Sequence, residues 1–379
     1  MAEKAVLVGV NLQNDGFDVE MEELQLLCEA CNIEVVDTVT QNLLQINPKT
    51  YVGTGKIEEI KIAINNHDAD VVVFNDELSP AQITNLEKLL EVTIYDRTFV
   101  ILEIFKRRAH TKEAILQVEI ATLNYLKTRL IGLRKGLSRQ AGGAGSGAYN
   151  KGLGETKLEL DRRNIADEIA KRKRELDNLT SQRAIQRQKR KINNLPIVSL
   201  VGYTNSGKST TLNKLLSYSI AVKKEVYQEN MLFATLETSS RLIKLENNHQ
   251  FVITDTIGFI NKLPHHLIEA FKSTLEEITE SDLLLHVVDS SNPHYDDQIR
   301  ITNEVIKEIG VKDIPIIYVF NKIDKLPNFN VPLEYGKAIA ISAETGENFN
   351  NLINLIESII FKDEELITYQ IPYQQSQLV

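Results

Sequence analysis

The sequence contains no tryptophan and only two cysteines among its 379 residues, and it has no long uninterrupted apolar run. A membrane-spanning helix needs about 20 predominantly apolar residues, so the short runs argue against an integral membrane segment. Near the N-terminus, Glu3 and Lys4 precede only six apolar or glycine residues, which is too short for the core of a signal peptide. With too few cysteines for a disulfide framework, the composition predicts a cytoplasmic protein, and we expect a monomer.

The two cysteines, Cys28 and Cys31, form a CxxC pair within a helical pattern. Such a pair can be redox-active or can supply half of a zinc site. The sequence has no second CxxC, and the nearest histidine is distant, at His67. We therefore expect both cysteines to be ordinary core residues of an amphipathic helix.

Positive charge is concentrated in one part of an acidic chain. The net charge is −9, yet residues 101–191 carry 22 Lys and Arg against 10 Asp and Glu, a net charge of +12, whereas the remainder carries −21. A basic block of this kind predicts contact with a polyanion. The alternative is a solvated helical face without a partner.

The spacing of apolar residues divides the chain into four parts and predicts the α/β class. Residues 1–97 alternate short β-type runs with helical patterns, an order that indicates an N-terminal domain with a parallel sheet covered by helices. Residues 98–195 contain no strand pattern. Residues 196–361 return to alternating strands and helices, so we expect a second, mostly parallel sheet. Residues 362–379 begin a further strand and then stop, which we interpret as a short tail from a truncated C-terminal domain.

The strand-free part, residues 98–195, predicts a long antiparallel helical hairpin. One continuous helical pattern runs from Thr98 to Arg134, and a glycine-dense tip covers 136–154. The second arm is basic toward its end, with nine Lys or Arg and two acidic residues within 171–191. This arm is the strongest candidate for contact with a polyanion.

A phosphate-binding motif lies within residues 200–216, LVGYTNSGKSTTLNKLL. The pattern GxxxxGK[ST] occurs once, from Gly202 to Ser209, after an apolar strand and before a helical pattern, which is the context that a P-loop requires. Glycines let backbone N–H groups turn toward phosphate oxygens, and the helix N-terminus adds partial positive charge. Lys208 is expected to neutralise the β- and γ-phosphates, and the Ser209 hydroxyl to bind Mg²⁺.

A second motif selects the base. NKID, from Asn321 to Asp324, ends an apolar strand, where open α/β sheets bind ligands. The Asp324 carboxylate can accept from the N1–H and amino group of guanine, whereas adenine has no such pair of donors. In ISAETG, Ser342 and Ala343 follow a strand, where a backbone N–H can reach guanine O6. The alternative for NKID alone is a plain turn.

The motif DTIGF ends another strand and brings in the third phosphate. Asp255 can hold a Mg²⁺-bound water, and the Gly258 amide can bind the γ-phosphate. The next residue is Phe259, where many GTPases have a glutamine that orients water. We therefore expect slow hydrolysis by the isolated protein. Asn205 is placed where a P-loop side chain can bind K⁺, and a K⁺ ion is therefore a candidate substitute.

The order of these motifs is similar to that in GTPases of the translation-factor-related class. Longer strings resemble the HflX family of ribosome-associated GTPases, and the likeness covers nearly the whole chain. The strings are YVGTGKIEEI, DRTFVILEIFKRRAHTKEAILQVEIATLNYLKTRL, GLGETKLELDRR, NMLFATLETSSR and DTIGFINKLPHHLIEAFKSTLEE. This resemblance assigns Thr235 to the second Mg²⁺ contact and to orientation of the attacking water.

Motifs and resemblance together give the candidate site for GTP or GDP and Mg²⁺. The catalytic candidates are Lys208, Thr235 and Gly258. The metal candidates are Ser209, Thr235 and Asp255. The candidates for contact with the nucleotide are Gly202, Asn205, Ser206, Gly207, Lys208, Ser209, Thr210, Thr235, Asp255, Gly258, Asn321, Lys322, Asp324, Ser342 and Ala343.

The resemblance also implies partners and a cellular role. It implies a GTPase that binds the large ribosomal subunit and splits or rescues stalled ribosomes, often under stress, with the N-terminal domain and the hairpin contacting ribosomal RNA. Phosphate contacts of that kind are salt-sensitive. At the tip the sequence departs from the family, because KGLGET at 151–156 replaces the usual Arg-Gly-Pro-Gly-Glu-Thr.

Other functions stay open at this point. A GTP-dependent ribosome-assembly factor would carry the same motifs, and Phe259 gives weight to a nucleotide-gated RNA-binding scaffold without turnover. The segment from Gly53 to Lys56, GTGK, could hold a second nucleotide, although it lacks P-loop spacing and a hydroxyl after the lysine. The alternative for this segment is a glycine loop that begins a helix.

Overall fold

The computed structural model describes residues 2–13, 16–140, 159–179, 195–220, 233, 239–326 and 328–362. Four predictions fall wholly or partly outside these residues. They concern Thr235, most of the glycine-dense tip, the basic end of the second helical arm beyond residue 179 and the tail beyond residue 362.

The N-terminal part forms a four-stranded parallel sheet with the strand order β2-β1-β3-β4, as the sequence predicts. Its strands are β1 (Glu3–Asn11), β2 (Ile33–Asn42), β3 (Val71–Phe74) and β4 (Thr93–Asp96). Its helices are α1 (Phe17–Ala30), α2 (Thr54–His67), α3 (Pro80–Leu90) and α4 (Arg97–Arg108). The two central strands are almost entirely buried, because helices cover both faces of a parallel sheet.

Cys28 and Cys31 are core residues, as expected. They are 0% and 2% exposed, on the face of α1 that packs against the sheet and α4. Burial raises the pKa of both thiols, that of Cys31 to about 12, so neither is a thiolate near neutral pH. Among the described residues, no group of His, Cys, Asp or Glu side chains is arranged to hold a metal ion.

The first helical arm is interrupted, and the prediction of one continuous helix from Thr98 was wrong. Helix α4 ends at Arg108, and α5 (Lys112–Gln140) begins after a short break. The Thr111 hydroxyl accepts from the Ala114 amide at 3.2 Å and caps the new helix. Apolar spacing continues across the break because both helices bury a face in the same core.

The second helical arm, α6 (159–179), lies beside α5. Arg172 donates to Glu119 of α5 at 2.5 Å and also pairs with Glu168 at 3.2 Å. Three neighbouring cations, Lys171, Lys173 and Arg174, are exposed. Of the four consecutive cations from Lys171 to Arg174, one therefore joins the two helices and three face solvent.

Asp96 anchors the first arm to the N-terminal sheet. Its buried carboxylate accepts from the Tyr125 hydroxyl at 2.8 Å and from the Arg129 guanidinium at 3.1 Å. It also accepts from the amides of Leu78 and Phe99. Burial raises the pKa of Asp96, against the opposing influence of Arg129. The middle of α5 is thus fixed to the edge of the sheet by a buried, fully hydrogen-bonded charge.

The C-terminal part forms a six-stranded sheet with the order β10-β9-β8-β5-β7-β6. Its strands are β5 (Ile197–Val201), β6 (Ser239–Lys244), β7 (Gln250–Asp255), β8 (Leu283–Asp289), β9 (Ile316–Asn321) and β10 (Ala338–Ala340). Its helices are α7 (Lys208–Ser217), α8 (His265–Ala270), α9 (Lys272–Thr279), α10 (Tyr295–Ile309) and α11 (Phe349–Ile360). All pairs are parallel except β6 with β7, which agrees with a mostly parallel sheet.

The two sheets share one hydrophobic core. Helices α4 and α5 contribute Val100, Phe105 and Ala121, and the C-terminal part contributes Phe259 and Phe271 to the same cluster. The ring of Phe105 lies edge-on to that of Phe271, with 5.0 Å between centroids. Among the helices of the described chain, none has both the length and the apolarity that crossing a membrane requires.

We expect Asp96→Ala to lower the free energy of unfolding by about 3–5 kcal/mol, because it leaves the half-buried Arg129 charge and the buried Tyr125 hydroxyl without their partner. Urea denaturation followed by circular dichroism measures the change. Glu58→Ala is the control, since Glu58 forms only an exposed pair with Lys61 and its loss is expected to cost under about 1 kcal/mol. Equal losses in the two variants would contradict the anchoring role of Asp96.

Candidate nucleotide-binding site

The predicted motifs meet at the carboxyl edge of the six-stranded sheet. The P-loop follows β5, Asp255 ends β7, and Asn321 ends β9. Strand β5 lies between β7 and β8, and β9 lies on the other side of β8, so residues far apart in sequence converge at one edge. This edge is where open parallel sheets bind their ligands.

Two glycines of the P-loop are required by geometry. Gly202 has a φ of +147°, and a Cβ there would lie 2.2 Å from the carbonyl oxygen of Val287. Gly207 has a φ of +94°, and its Cβ would lie 2.2 Å from Nδ2 of Asn321. Asn205 also adopts a left-handed conformation, with a φ of +60°. A side chain at either glycine would displace the loop, which explains the spacing of the motif.

Lys208 is the buried cation of the site. It begins α7, is 6% exposed, and donates to the carbonyl oxygens of Gly202 and Tyr203 at 3.1 and 2.7 Å. Burial is the main reason that its pKa is lowered to about 8; Asp255 opposes this shift, and the nearby Lys322 adds to it. An anionic phosphate at this position would stabilise the charged form.

The residues assigned to Mg²⁺ are suited to that ion. The Ser209 hydroxyl donates to Asp255 Oδ2 at 2.6 Å, so a hydroxyl and a carboxylate oxygen meet beside the P-loop. Mg²⁺ prefers oxygen ligands and usually takes one or two from the protein, with the rest from phosphates and water. Thr235, the third metal candidate, lies outside the described residues. Thr210 lies in the first turn of α7.

The base-recognition motif is tied to the P-loop. Asn321 Nδ2 donates to the Ser206 carbonyl at 2.9 Å, and Lys322 Nζ donates to the Asn205 carbonyl at 2.7 Å. Lys322 also pairs with Asp289, the last residue of β8, at 2.6 Å. These hydrogen bonds fix the base-recognition motif relative to the P-loop, so the base and the phosphates of a nucleotide would contact connected segments.

Asp324 stands where a guanine carboxylate partner is needed. Its side chain is positioned by the Ser342 hydroxyl, which donates to Oδ1 at 2.5 Å. The Ala343 amide donates to Asn321 Oδ1 at 2.9 Å. A backbone N–H of this loop as the donor to guanine O6 stays a prediction. The loop after β10 therefore braces Asn321 through this amide.

Gly258 is packed directly against the P-loop. A Cβ at this residue would lie 2.9 Å from both Lys208 Nζ and Thr204 Cα. The next residue pairs with the loop through its backbone, since the Thr204 amide donates to the Phe259 carbonyl at 2.7 Å. The Phe259 ring is 1% exposed in the core shared with α4 and α5. The side chain at this position therefore packs in the core, whereas many GTPases have a glutamine here that orients water.

Sequence reasoning missed Tyr203 and Asp289. The second P-loop residue, Tyr203, is 8% exposed, and its hydroxyl donates to Glu23 of the N-terminal part. A tyrosine within a tight phosphate loop is a signal that could have been noticed, because a buried phenol needs a hydrogen-bond partner. Its partner could not have been named, because Glu23 is distant in sequence.

The second candidate nucleotide segment has a structural explanation. Gly53 precedes α2 with an ordinary φ of −69°, and its amide donates to the Gln41 side chain at 2.9 Å. Lys56 pairs with Glu59 in the next turn. The segment therefore forms a glycine loop that begins a helix, which is the alternative to a second nucleotide site.

We expect the affinity for GDP to be constant near neutral pH and to fall by up to about tenfold per pH unit above pH ~8. Below its pKa Lys208 is already protonated in the free protein, whereas above it each binding event must also take up a proton. Calorimetric titration with GDP between pH ~7 and ~8.8 measures this dependence. Lys208→Arg is the control, since its guanidinium does not titrate there. A flat profile for the unmodified protein would contradict the assignment.

Family models match the chain in three consecutive stretches. A model described as GTP-binding GTPase N-terminal matches residues 18–106, and one described as GTP-binding GTPase Middle Region matches 108–190. A third, described as 50S ribosome-binding GTPase, matches 197–322. The third stretch contains the P-loop, DTIGF and NKID motifs, apart from the last two residues of NKID.

Curated relatives cover nearly the whole chain. The chain is 43% identical over 374 residues to GTPase HflX of Caldanaerobacter subterraneus subsp. tengcongensis, covering 99% of this chain and 84% of the relative. It is 38% identical to GTPase HflX of Escherichia coli strain K12, covering 99% and 87%. A solved structure, a GTP-binding protein from Sulfolobus solfataricus in complex with GDP, is 25% identical with a TM-score of 0.47, covering 96% of this chain and all of that one.

Because the two curated relatives align with 99% of this chain at 43% and 38% identity, and the GTPase model falls on the P-loop unit, the chain belongs to the HflX family of GTPases.

Proposed function

We propose that this GTPase binds the large ribosomal subunit and uses GTP binding and hydrolysis to split or rescue stalled ribosomes under stress. The observation that carries the proposal is the exposed basic surface of α6, formed by Lys171, Lys173 and Arg174, on a chain that is otherwise strongly acidic. A cationic arm on an acidic protein confines RNA binding to that arm, because the acidic remainder repels phosphates.

The site supports hydrolysis by positioning and charge neutralisation. Lys208 and the amides of the P-loop stabilise charge on the phosphates, and the Asp324 carboxylate selects guanine by accepting from its N1–H and amino group. Mg²⁺, held by Ser209 and Asp255 with Thr235 as the further candidate ligand, would neutralise charge between the β- and γ-phosphates. The Gly258 amide is the donor for the γ-phosphate. No side chain at Phe259 can orient the water, so we expect slow turnover alone and faster turnover on the ribosome.

The anchored hairpin suits a role in ribosome binding. Asp96 fixes the middle of α5 to the N-terminal sheet, and Arg172 joins α6 to α5 through Glu119. The hairpin is therefore connected to the N-terminal part and to the core that contains Phe259. This continuity favours a nucleotide-driven ribosome factor over a scaffold that only carries RNA.

We expect the double variant Lys173→Gln, Arg174→Gln to weaken binding to large subunits and to reduce the salt slope of binding by about 1–2 units, because two phosphate contacts are lost. Co-sedimentation across salt and nucleotide state measures this effect. Arg172 is left intact because it is needed to hold the hairpin together.

The matched control is Lys307→Gln, Lys312→Gln, which neutralises two exposed lysines in and just beyond α10. Equal binding by both double variants, at unchanged GTP affinity, would contradict RNA binding by α6. Sucrose gradients of intact ribosomes then separate the functions. Splitting yields free subunits with GTP, whereas an assembly factor changes only immature particles, and a scaffold shows no phosphate release with or without ribosomes.

We expect GTP turnover to be faster in K⁺ than in Na⁺, with Asn205 as the side-chain ligand. Asn205 is an exposed residue of the P-loop, and glycine can also adopt its φ of +60°. Asn205→Gly removes the ligand without straining the backbone, so it should abolish the difference between the two ions and leave GDP binding in place. Phosphate release in matched K⁺ and Na⁺ buffers is the measurement. Equal rates for the unmodified protein would exclude a K⁺ role.

A further inference from the structure

Thr204, the third residue of the P-loop, carries a buried hydroxyl that none of the predicted site roles uses. The residue is 6% exposed, and within the part of the chain that the structure describes nothing hydrogen-bonds its Oγ1. Buried hydroxyls are normally hydrogen-bonded, because an unsatisfied one costs free energy. A hydroxyl of this kind inside a phosphate-binding loop is therefore a candidate contact for the substrate or for the water that attacks it.

The Thr204 side chain lies against the two groups that are expected to hold the γ-phosphate. A Cβ built on Gly258 would lie 2.9 Å from Thr204 Cγ2 and 2.9 Å from Lys208 Nζ. The threonine side chain, Gly258 and the lysine amine therefore converge on one small region. The methyl and hydroxyl groups of a threonine share one Cβ, and rotation about χ1 exchanges their places, so the hydroxyl can reach this region as well.

The backbone fixes Thr204 relative to the DTIGF segment. The Thr204 amide donates to the Phe259 carbonyl at 2.7 Å, and the Phe259 amide donates to the Gly202 carbonyl at 3.1 Å. Together these two bonds form a short parallel bridge between the P-loop and the residue after Gly258. The same contact thus sets the positions of Thr204 and Gly258, and a side chain held in this way is preorganised for a reaction.

Hydrolysis needs a group that holds water in line with the bond to be broken, and Phe259 cannot supply it. A hydroxyl suits this task, because it can accept a hydrogen bond from the water while it donates one to a phosphate oxygen. Ser206 also has a buried hydroxyl without a partner among the described residues, but that hydroxyl lies close to Gly202, 3.2 Å from where a Cβ there would stand. The hydroxyl of Thr204 is the one beside Gly258.

We propose that Thr204 is a catalytic residue of GTP hydrolysis, and that its hydroxyl holds the attacking water against the γ-phosphate. The inference rests on the nucleotide site described under the proposed function. The water oxygen forms a bond to the γ-phosphorus while the bond from this phosphorus to the β–γ bridging oxygen breaks. GDP leaves with that electron pair, and one proton of the water passes to an oxygen of the released phosphate. The Thr204 hydroxyl keeps its own proton and orients the water.

The test measures single-turnover GTP hydrolysis by the full-length chain, alone and with large ribosomal subunits, together with the affinities for GDP and for a non-hydrolysable GTP analogue. Thr204→Val keeps the shape of the side chain and removes the hydroxyl. Hydrolysis by the protein alone should slow by about tenfold or more, with both affinities within about twofold, because the contact is made mainly in the transition state. Thr204→Ala should slow hydrolysis similarly, whereas Thr204→Ser keeps the hydroxyl and should retain most of the rate.

Thr302→Val is the matched control. Thr302 lies on α10, is fully buried, and has a hydroxyl for which the described residues likewise provide no partner. The control therefore makes the same exchange of a buried hydroxyl for a methyl group outside the nucleotide site, and hydrolysis should stay unchanged.

Three results would overturn the role of Thr204. They are an unchanged rate in Thr204→Val, an equal loss of rate in Thr204→Ser, and a loss of rate that a matching loss of both affinities accompanies, which indicates a structural role. If the unmodified protein binds GDP but releases no phosphate with or without ribosomes, the proposed GTP hydrolysis is itself wrong. Normal hydrolysis by both the unmodified protein and Thr204→Val disproves only the present inference.

Discussion

One chain segment, residues 257–263, contacts both the P-loop and the N-terminal sheet, and it therefore links the two halves of the molecule. On one side its backbone pairs with the P-loop through Phe259, and on the other Lys262 pairs with Glu20 and Asp76 of the N-terminal part. Phe259 and Ile260 fill the core that α4 and α5 share with the GTPase part.

Buried charge gives this contact its specificity. Glu23 pairs with Arg97 and accepts from the Tyr203 hydroxyl. Burial raises the pKa of Glu23 and these two partners oppose the rise, so the network of the three residues is stable only while all its members are in place. Apolar packing alone would hold the two halves together, but it would tolerate small slides of one surface over the other. Hydrogen bonds and ion pairs have defined geometry, and losing one leaves a buried charge that is costly to maintain.

The same arrangement relates the hairpin to the GTPase site. Helix α5 is fixed near its middle by Asp96, contributes Val118 and Ala121 to the shared core, and is joined to α6 through Arg172. The three exposed cations of α6 are thus attached to the same core as the GTPase part, whereas Arg172, which joins the two helices, is paired.

The sequence by itself determined the local chemistry: the P-loop with its two required glycines, NKID and DTIGF at strand ends, and two parallel sheets, because these features follow from short-range spacing and backbone conformation. It did not reveal the break between α4 and α5 or strand β6, since apolar periodicity continues across the break and SSRLIK has no strong strand pattern. Only the tertiary structure decided the roles of Tyr203, Phe259 and Lys262. Their partners are distant in sequence, and local sequence preferences do not determine which charges and rings meet when the two halves of the chain pack together.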